Sequence, residues 1–309
     1  MRTVGIDLGG TKVMAVLVEN GEVLAKAKQP TPVTGGPDAV ITAMVAAARE
    51  VDPGGTAVGV GIGAPGPVVP GSGVLPAAPN LPGWDHDVDV VGRMSAALDG
   101  RPVKLDNDVN VGTLAEWKLG AGRGVDDLLG VFAGTGVGAG LVLDGRLRQG
   151  PRGLAGEIGH TFVAFDQFRE APVGRGELED FAGRRSLQRW VEVAPHAESA
   201  LMRRLMGRGR LKSKAWADGV EAKDPLTLRL VNRASSALSA AIASAITLVD
   251  VERVVLGGGF AERLGEPFRE RVEAEVAERA FAGQTAPVVA ARLGDTGGAV
   301  GAALLLEHT

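Results

Sequence analysis

The chain has 309 residues, 45% hydrophobic and 23% charged, with a formal net charge of −4. That balance supports a sizeable core in about two domains and gives no general attraction to nucleic acid or anionic membrane. Cysteine is absent, which excludes disulfides, thiolate metal ligands and cysteine nucleophiles, and no apolar stretch reaches the roughly 18 residues of a membrane span. No basic-then-apolar leader precedes Asp7, so a cytoplasmic location is expected.

Val4–Ile6 and Val13–Val18 read as strands joined by the turn D-L-G-G-T-K, Asp7 to Lys12. Asn20-Gly21 is a hairpin signal, followed by a third strand over Val23–Lys28. A helix is predicted from Pro37-Asp38 to Glu50, with Val40, Ile41, Met44, Val45 and Ala48 on one face. The strand Ala57–Ile62 leads into a Pro/Gly-rich loop over 63–80, then a helix over 88–98 and a strand over Val103–Leu105. A further helix over 107–119 starts at the cluster Asp106-Asn107-Asp108.

Strands Leu128–Ala133 and Ala139–Leu143 flank a second glycine turn, Gly134 to Gly140, and Asp144-Gly145 makes another hairpin. The strand, glycine turn and strand of the N-terminus therefore recur, which predicts a duplicated core. Residues 178–211 read as helical, and Trp216 falls in a short helical piece. Asp224-Pro225 is an N-cap followed by Pro at the first helical position, opening a long Ala/Ser-rich helix to Val249. The strand Val254–Leu256 runs into a third glycine turn, Gly257-Gly258-Gly259; a helix over 267–280, a strand over 287–290 and a helix over 296–307 follow. Such alternation predicts two α/β domains with a cleft between them. The expected division is 1–107 with the terminal helix of about 296–309, and 108–295.

Three glycine turns after strands, two of them carrying Thr, suit a nucleoside triphosphate. Bare glycines let backbone N–H groups close on phosphate oxygens, and a Thr hydroxyl adds a donor. Asp7 is placed to hold Mg²⁺ through water. No Gly-Lys dipeptide occurs, so a P-loop is excluded; the dinucleotide fingerprint, the G-x-S-x-G elbow and the H-E-x-x-H zinc pattern are absent too. Asp108, at the start of a helix, is either an N-cap or a spare carboxylate, since Asp106 could cap equally well. Glu157 and His160 lie on either side of Gly159, and Glu179 follows the loop Gly174-Arg175-Gly176. Carboxylates, an Asn and a His can bond several hydroxyls at once and reject analogues lacking one, which points to a polyol or sugar. The run Arg203 to Lys214, six basic residues and no acid, is either a solvated surface or a track for a polyanion.

Taken in order, the motifs make the chain resemble the sugar kinases of the ROK family, within the actin/hexokinase-like ATPase superfamily. They are G-I-D-L-G-G-T-K from Gly5, G-I-G-A-P-G-P from Gly61, N-L-P-G-W from Asn80, and N-D-V-N from Asn107. G-T-G-V-G-A-G from Gly134, G-E-I-G-H from Gly156, V-V-L-G-G-G from Val254 and L-G-D-T-G-G-A-V-G-A-A from Leu293 complete them. The resemblance spans essentially the whole chain and is strongest to the glucokinase branch.

It implies two actin/hexokinase-like (ribonuclease H-like) α/β domains with an interdomain cleft, and ATP-dependent phosphorylation of a hexose, glucose first, at its 6-hydroxyl. Asp108 would be the general base. Asn80, Asn107, Glu157, His160 and Glu179 would hold the sugar. Asp7, Gly9, Gly10, Thr11, Lys12, Thr135 and Gly136 would hold Mg²⁺ and the phosphates, and Gly257, Gly258 and Gly259 would border the adenosine. A homodimer is implied as well.

One departure stands out. The family's zinc motif C-x-C-G-x-x-G-C-x-E is replaced by Ala171-Pro172-Val173-Gly174-Arg175-Gly176-Glu177-Leu178-Glu179, without cysteines and one residue shorter. No structural zinc is therefore expected, which would leave His160 to the sugar alone. The rival readings are a kinase for fructose, mannose or an N-acetylhexosamine, a polyphosphate-using glucokinase, and a sugar-sensing repressor. The repressor is disfavoured because no helix-turn-helix fits before Asp7.

Overall fold

Val13 to Val18 form an unbroken apolar run, the pattern of a strand covered on both faces. In the structure, a computed structural model that describes residues 1–165, 174–195, 198, 200–207 and 209–307, this run is β2 (Lys12–Glu19), and it lies inside a five-stranded sheet. Its neighbours are β1 (Arg2–Leu8) and β3 (Glu22–Pro30), both antiparallel to it. Next to β1 come β4 (Val60–Ala64) and then β7 (Val103–Asn107), both parallel, giving the order β3-β2-β1-β4-β7. A separate small pair, β5 (Val74–Leu75) and β6 (Val88–Asp89), was not expected from the sequence.

Each face of this sheet meets its own helix. On one face α1 (Gly36–Val51) buries Val40, Ile41, Met44, Ala47, Ala48 and Val51 against Val4, Ile6 and Ile62. α2 (Val90–Ala97) adds Met94 to this core, and its N-cap Asp89 accepts the Gly92 N–H at 2.8 Å. On the other face α11 (Gly297–Leu304) packs Ala299, Val300 and Ala303 against Met14, Val16 and Val18. α11 lies directly on the strands: a methyl group added at Gly5 would sit 1.9 Å from the Ala299 carbonyl oxygen, and one at Gly61 would sit 1.8 Å from that of Ala302.

β8 (Leu128–Ala133), β9 (Val137–Leu143) and β10 (Arg146–Arg148) repeat the first three strands. β11 (Arg253–Gly257) and β12 (Val288–Ala290) add parallel neighbours, in the order β10-β9-β8-β11-β12. The two strand orders correspond position for position, so the predicted duplication is present.

The helical stretch expected over 178–211 is interrupted. α4 (Leu178–Ala182) stops at Gly183, which is extended at ψ 128° and leads into α5 (Arg184–Val193). Ala194 precedes Pro195 and takes ψ 149°, the conformation forced by the proline ring on the residue before it. α6 (Ala200–Met206) follows; positions 196, 197, 199 and 208 of the expected stretch lie outside the described residues. Trp216 is fully buried in α7 (Ser213–Glu221), edge-on to Phe260 with ring centres 6.0 Å apart. Asp224 caps α8 (Pro225–Val249) as its sequence predicts, its carboxylate accepting the Thr227 N–H at 2.8 Å. Between β11 and β12 stand α9 (Gly259–Leu264), where only a turn was expected, and α10 (Glu266–Glu278).

The chain forms two compact units. The first is Met1–Gly124 with Gly140–Gly156 and Arg292–Thr309; the second is Val125–Ala139 with Glu157–Ala291. α3 (Asp108–Lys118) groups with the first unit, whereas the expected division opened the second domain at Asp108. Glycine permits this association: a methyl group at Gly301 of α11 would meet the Val111 carbonyl oxygen of α3 at 1.7 Å. The terminal helix ends at Leu304, short of the expected 307, and residues 308 and 309 lie outside the described ones. Among the described residues, no helix is long and apolar enough to cross a membrane.

Candidate active site

In the first unit, β7 runs straight into α3, and three consecutive side chains divide the work at the junction. Asn107 is the N-cap: its Oδ1 accepts the N–H groups of Val109 at 2.8 Å and Asn110 at 3.1 Å. Asp106, considered as an alternative cap, is instead buried at 1% exposure. Its Oδ1 accepts from the Asn107 N–H and Asn110 Nδ2, and its Oδ2 from Gln149 Nε2 at 2.7 Å. Burial pushes its carboxyl above the usual range, against the pull of these bonds. Asp108 is left at the first helical position, half-buried. Its Oδ1 accepts the Val109 N–H at 2.9 Å and Asn107 Nδ2 at 3.1 Å, which fixes the carboxylate plane. Asn107 Nδ2 also donates to the Gly66 carbonyl at 3.1 Å, in the loop after β4.

The first glycine turn lies in the same unit. Gly9 N–H donates to the Lys12 carbonyl at 2.9 Å, and Thr31 Oγ1 donates to the Gly9 carbonyl at 2.6 Å. A methyl group on Gly10 would lie 2.4 Å from the carbonyl oxygen of Asn80, so the structure brings Asn80 and the turn together. Thr11 is exposed. Lys12 pairs with Asp295 at 3.4 Å. Asp7, next to last in β1, lies beside the start of α11, where a methyl group on Gly298 would be 3.2 Å from its Cγ. Burial raises the Asp7 carboxyl above its ordinary value; Lys12 pulls it down and Asp295 pushes it up.

The second unit gathers its predicted residues around the second glycine turn. Gly134 N–H donates to the Gly136 carbonyl at 2.8 Å, which closes the turn. Glu179, on α4, reaches back to it: Oε2 accepts the Val137 N–H at 2.8 Å. Glu157 precedes a 3-10 turn over Ile158–His160, and His160 is the last residue of that turn. Desolvation raises the Glu157 carboxyl, His160 draws it back and Glu179 pushes it further up, so the three groups share one field. The third turn belongs to the same neighbourhood. Gly258 has φ +87°, and a side chain there would strike the Ala133 carbonyl 2.5 Å away, directly before Gly134. That position needs glycine for both reasons.

The structure also reveals residues that sequence reasoning missed. Arg184 Nη2 donates to the Thr135 hydroxyl at 3.0 Å and Nη1 to the Ser213 hydroxyl at 2.7 Å; burial pulls its pKa down. Its G-R-R context matches no motif. In the stretch standing where the zinc motif would be, Ala171, Pro172 and Val173 lie outside the described residues. The remainder is organised by carboxylates. Asp180 Oδ2 accepts three successive N–H groups, from Arg175, Gly176 and Glu177, at 2.7, 3.0 and 3.0 Å. Glu177 accepts from Arg175 and is bonded to His160 Nδ1 at 3.0 Å, which raises the His160 pKa. Among the described residues no group of three or more His, Asp and Glu is arranged to hold a metal ion.

The profile of the ROK family matches residues 3–309. The chain belongs to the ROK family. It is 34% identical to a glucokinase of Thermotoga maritima, over 100% of this chain and 98% of that one. Its fold is similar to that of a ROK hexokinase from Thermus thermophilus, with a TM-score of 0.83 and 33% identity over 99% of each chain. A ROK family glucokinase from Streptomyces griseus, solved in complex with glucose and AMPPNP, gives a TM-score of 0.80 at 28% identity over 99% of each chain. This ROK chain thus has the actin/hexokinase-like α/β fold of those sugar kinases.

Proposed function

We propose that this ROK protein transfers the γ-phosphoryl group of ATP to the 6-hydroxyl of a hexose, with glucose as the first substrate to test. One observation carries the assignment of the base: Asn107 caps α3, so Asp108 is relieved of that duty while its carboxylate is held by two N–H donors. Asp108 accepts the proton as the sugar oxygen attacks the γ-phosphorus and ADP leaves. A positioned base contributes about 10²–10⁴-fold, and phosphoryl transfer otherwise rests on alignment and charge neutralisation. Asn80, Asn107, Glu157, His160 and Glu179 are assigned to the sugar hydroxyls. The glycine turns at 9–12 and 134–136 are assigned to the phosphates, and 257–259 to the adenosine.

Asp7 suits a magnesium ion held through water. It is half-buried, and no hydrogen bond to its carboxylate comes from the described residues. Mg²⁺ is commonly bound by one or two carboxylates together with substrate phosphates. The ion would neutralise charge on the phosphates. The resemblance to glucokinases supports a cytoplasmic homodimer, and the lack of cysteines where the family carries its zinc motif argues against zinc; light scattering and metal analysis of the purified protein would check the dimer and the zinc.

The deciding experiment is ADP release with Mg-ATP across a panel of glucose, fructose, mannose and N-acetylhexosamines. Turnover fastest with glucose is expected; no turnover with any hexose sinks the reading. A second donor is favoured by one contact. Arg184 links Thr135 of the second glycine turn to Ser213, inside the basic run 203–214. That run could lead a polyphosphate to the turn, and competition between ATP and polyphosphate separates the two donors.

A further inference from the structure

Arg184, the first residue of α5, is a half-buried cation that forms no ion pair with a carboxylate among the described residues. Burial lowers its pKa, and no described carboxylate opposes that shift. Its guanidinium donates instead to two hydroxyls, Thr135 Oγ1 at 3.0 Å and Ser213 Oγ at 2.7 Å. Holding a cation partly out of water with no counter-charge is unfavourable, and an incoming anion relieves it.

The two hydroxyls stand at different glycine turns of the second unit. Thr135 is the centre of Gly134-Thr135-Gly136, whereas Ser213 Oγ would lie 3.6 Å from a methyl group on Gly259, the last glycine of the third turn. The helix start is itself fastened to the second turn: the N–H groups of Arg184 and Arg185 donate to the carbonyls of Gly134 and Thr135 at 3.1 and 3.0 Å. A guanidinium has donors and no acceptor, so each hydroxyl can only accept from it and keeps its own proton for another group. Neither hydroxyl donates that proton to a described residue. Two hydroxyl protons and a positive charge are thus left beside the two turns, a set that suits a chain of phosphate oxygens.

We propose that Arg184 is a positioning residue for the donor nucleotide, acting through Thr135 at the phosphates and Ser213 at the part of the nucleotide next to Gly259. The inference rests on the assignment of these turns to phosphate and adenosine made above. Arg184 transfers no proton and leaves hexose binding to other residues.

The test titrates the full-length protein with AMPPNP and magnesium by calorimetry. Arg184→Met, which keeps a long stem but no donor, should weaken AMPPNP about tenfold or more. Arg184→Lys keeps the charge without the fork and should fall between this variant and the wild type. Ser213→Ala, a smaller change that tests the same link, should weaken AMPPNP roughly two- to tenfold. Hexose affinity should stay within about twofold in all three, whereas a merely structural loss lowers both affinities together. In a double-mutant cycle, Arg184→Met with Thr135→Val should cost less than the sum of the single losses, because the arginine acts through the hydroxyl. AMPPNP binding needs no turnover, so the outcome is independent of whether any hexose is phosphorylated. Unchanged AMPPNP affinity in the Arg184 and Ser213 variants, an equal loss of hexose affinity, or additive losses in the cycle overturns the role of Arg184. Absence of AMPPNP binding by the wild type overturns the nucleotide assignment of the turns, and this role with it.

Discussion

Glu179 accepts the backbone N–H of Val137 at 2.8 Å. The contact is tight enough that a methyl group on Gly136 would come within 2.2 Å of the same carboxylate oxygen. A side chain assigned to a sugar hydroxyl therefore also holds the glycine turn assigned to phosphate. Hydrogen bonds to charged acceptors contribute about 1.5–3 kcal/mol, so Glu179→Ala should raise KM for hexose and for ATP together, each by about tenfold or more. Initial-rate kinetics in both substrates would show it. An unchanged KM for ATP would mean the clamp has no bearing on nucleotide binding.

Asp108→Asn keeps the shape at the start of α3 but removes the base. Turnover should fall by about 10²–10⁴-fold, while hexose binding stays measurable by calorimetry. A variant turning over near the wild-type rate would remove Asp108 from the chemistry.

The approach of α11 to the first sheet predicts a stability effect at glycine. Gly5→Ala and Gly61→Ala place a methyl group 1.9 and 1.8 Å from helix carbonyl oxygens. Overpacking costs about 1–3 kcal/mol and sometimes more, so both variants should melt well below the parent or fail to fold. Gly54→Ala is the control, because its nearest new contact is an ordinary 3.5 Å from Thr56. Equal melting temperatures for all three would contradict the packing described for α11.

Glu116 is buried at 2% exposure, and its carboxylate accepts N–H groups from Ala121, Arg292 and Leu293, each at 2.8 Å. Replacing it with alanine strands three backbone donors, and each buried unpaired group costs about 1–3 kcal/mol. Glu116→Ala should lose at least about 3 kcal/mol in urea unfolding. A loss below 1 kcal/mol would show that water reaches those amides.

The pair His160 and Glu177 predicts a pH window. The hydrogen bond to Glu177 raises the His160 pKa against the lowering effect of burial, and Glu157 and Glu179 add to the rise. Burial works to raise Glu177, but its bonds to His160 and Arg175 outweigh that and hold it below the usual range. The His160 contribution is complete below its ordinary pKa of about 6.5 and is lost as pH climbs through the raised value. The Glu177 contribution is complete above its ordinary value of about 4.3 and is lost as pH falls through the lowered one. The loop around Glu177 should therefore be tightest between about pH 4.5 and 6.5. In Glu177→Gln, NMR titration should show the His160 pKa falling; an unmoved titration would dissociate the pair.

Local chemistry made much of the fold legible. Each glycine turn follows a strand as its composition predicts, and Asp224 followed by Pro225 starts α8 as written, because turns and caps depend on a few adjacent residues. The break at Pro195 and the helix after Gly259 were not read, since helical periodicity ran across the first and α9 is short. Of the candidate site, residue types were legible, but their partners were not. Sequence left the cap open between Asp106 and Asp108, whereas burial of Asp106 and the reach of Gln149 from 43 residues away assign it to Asn107.

The chain's order of residues was enough to determine that two similar strand-and-turn cores exist, that their turns suit phosphates, and which carboxylates are candidates for chemistry. Tertiary structure alone decided that Glu179 grips Val137, that Arg184 joins Thr135 to Ser213, and that Gly5 and Gly61 exist to admit α11. Those facts rest on atoms brought together by burial across long separations, where a polar group must find whichever partner the packed interior leaves within reach.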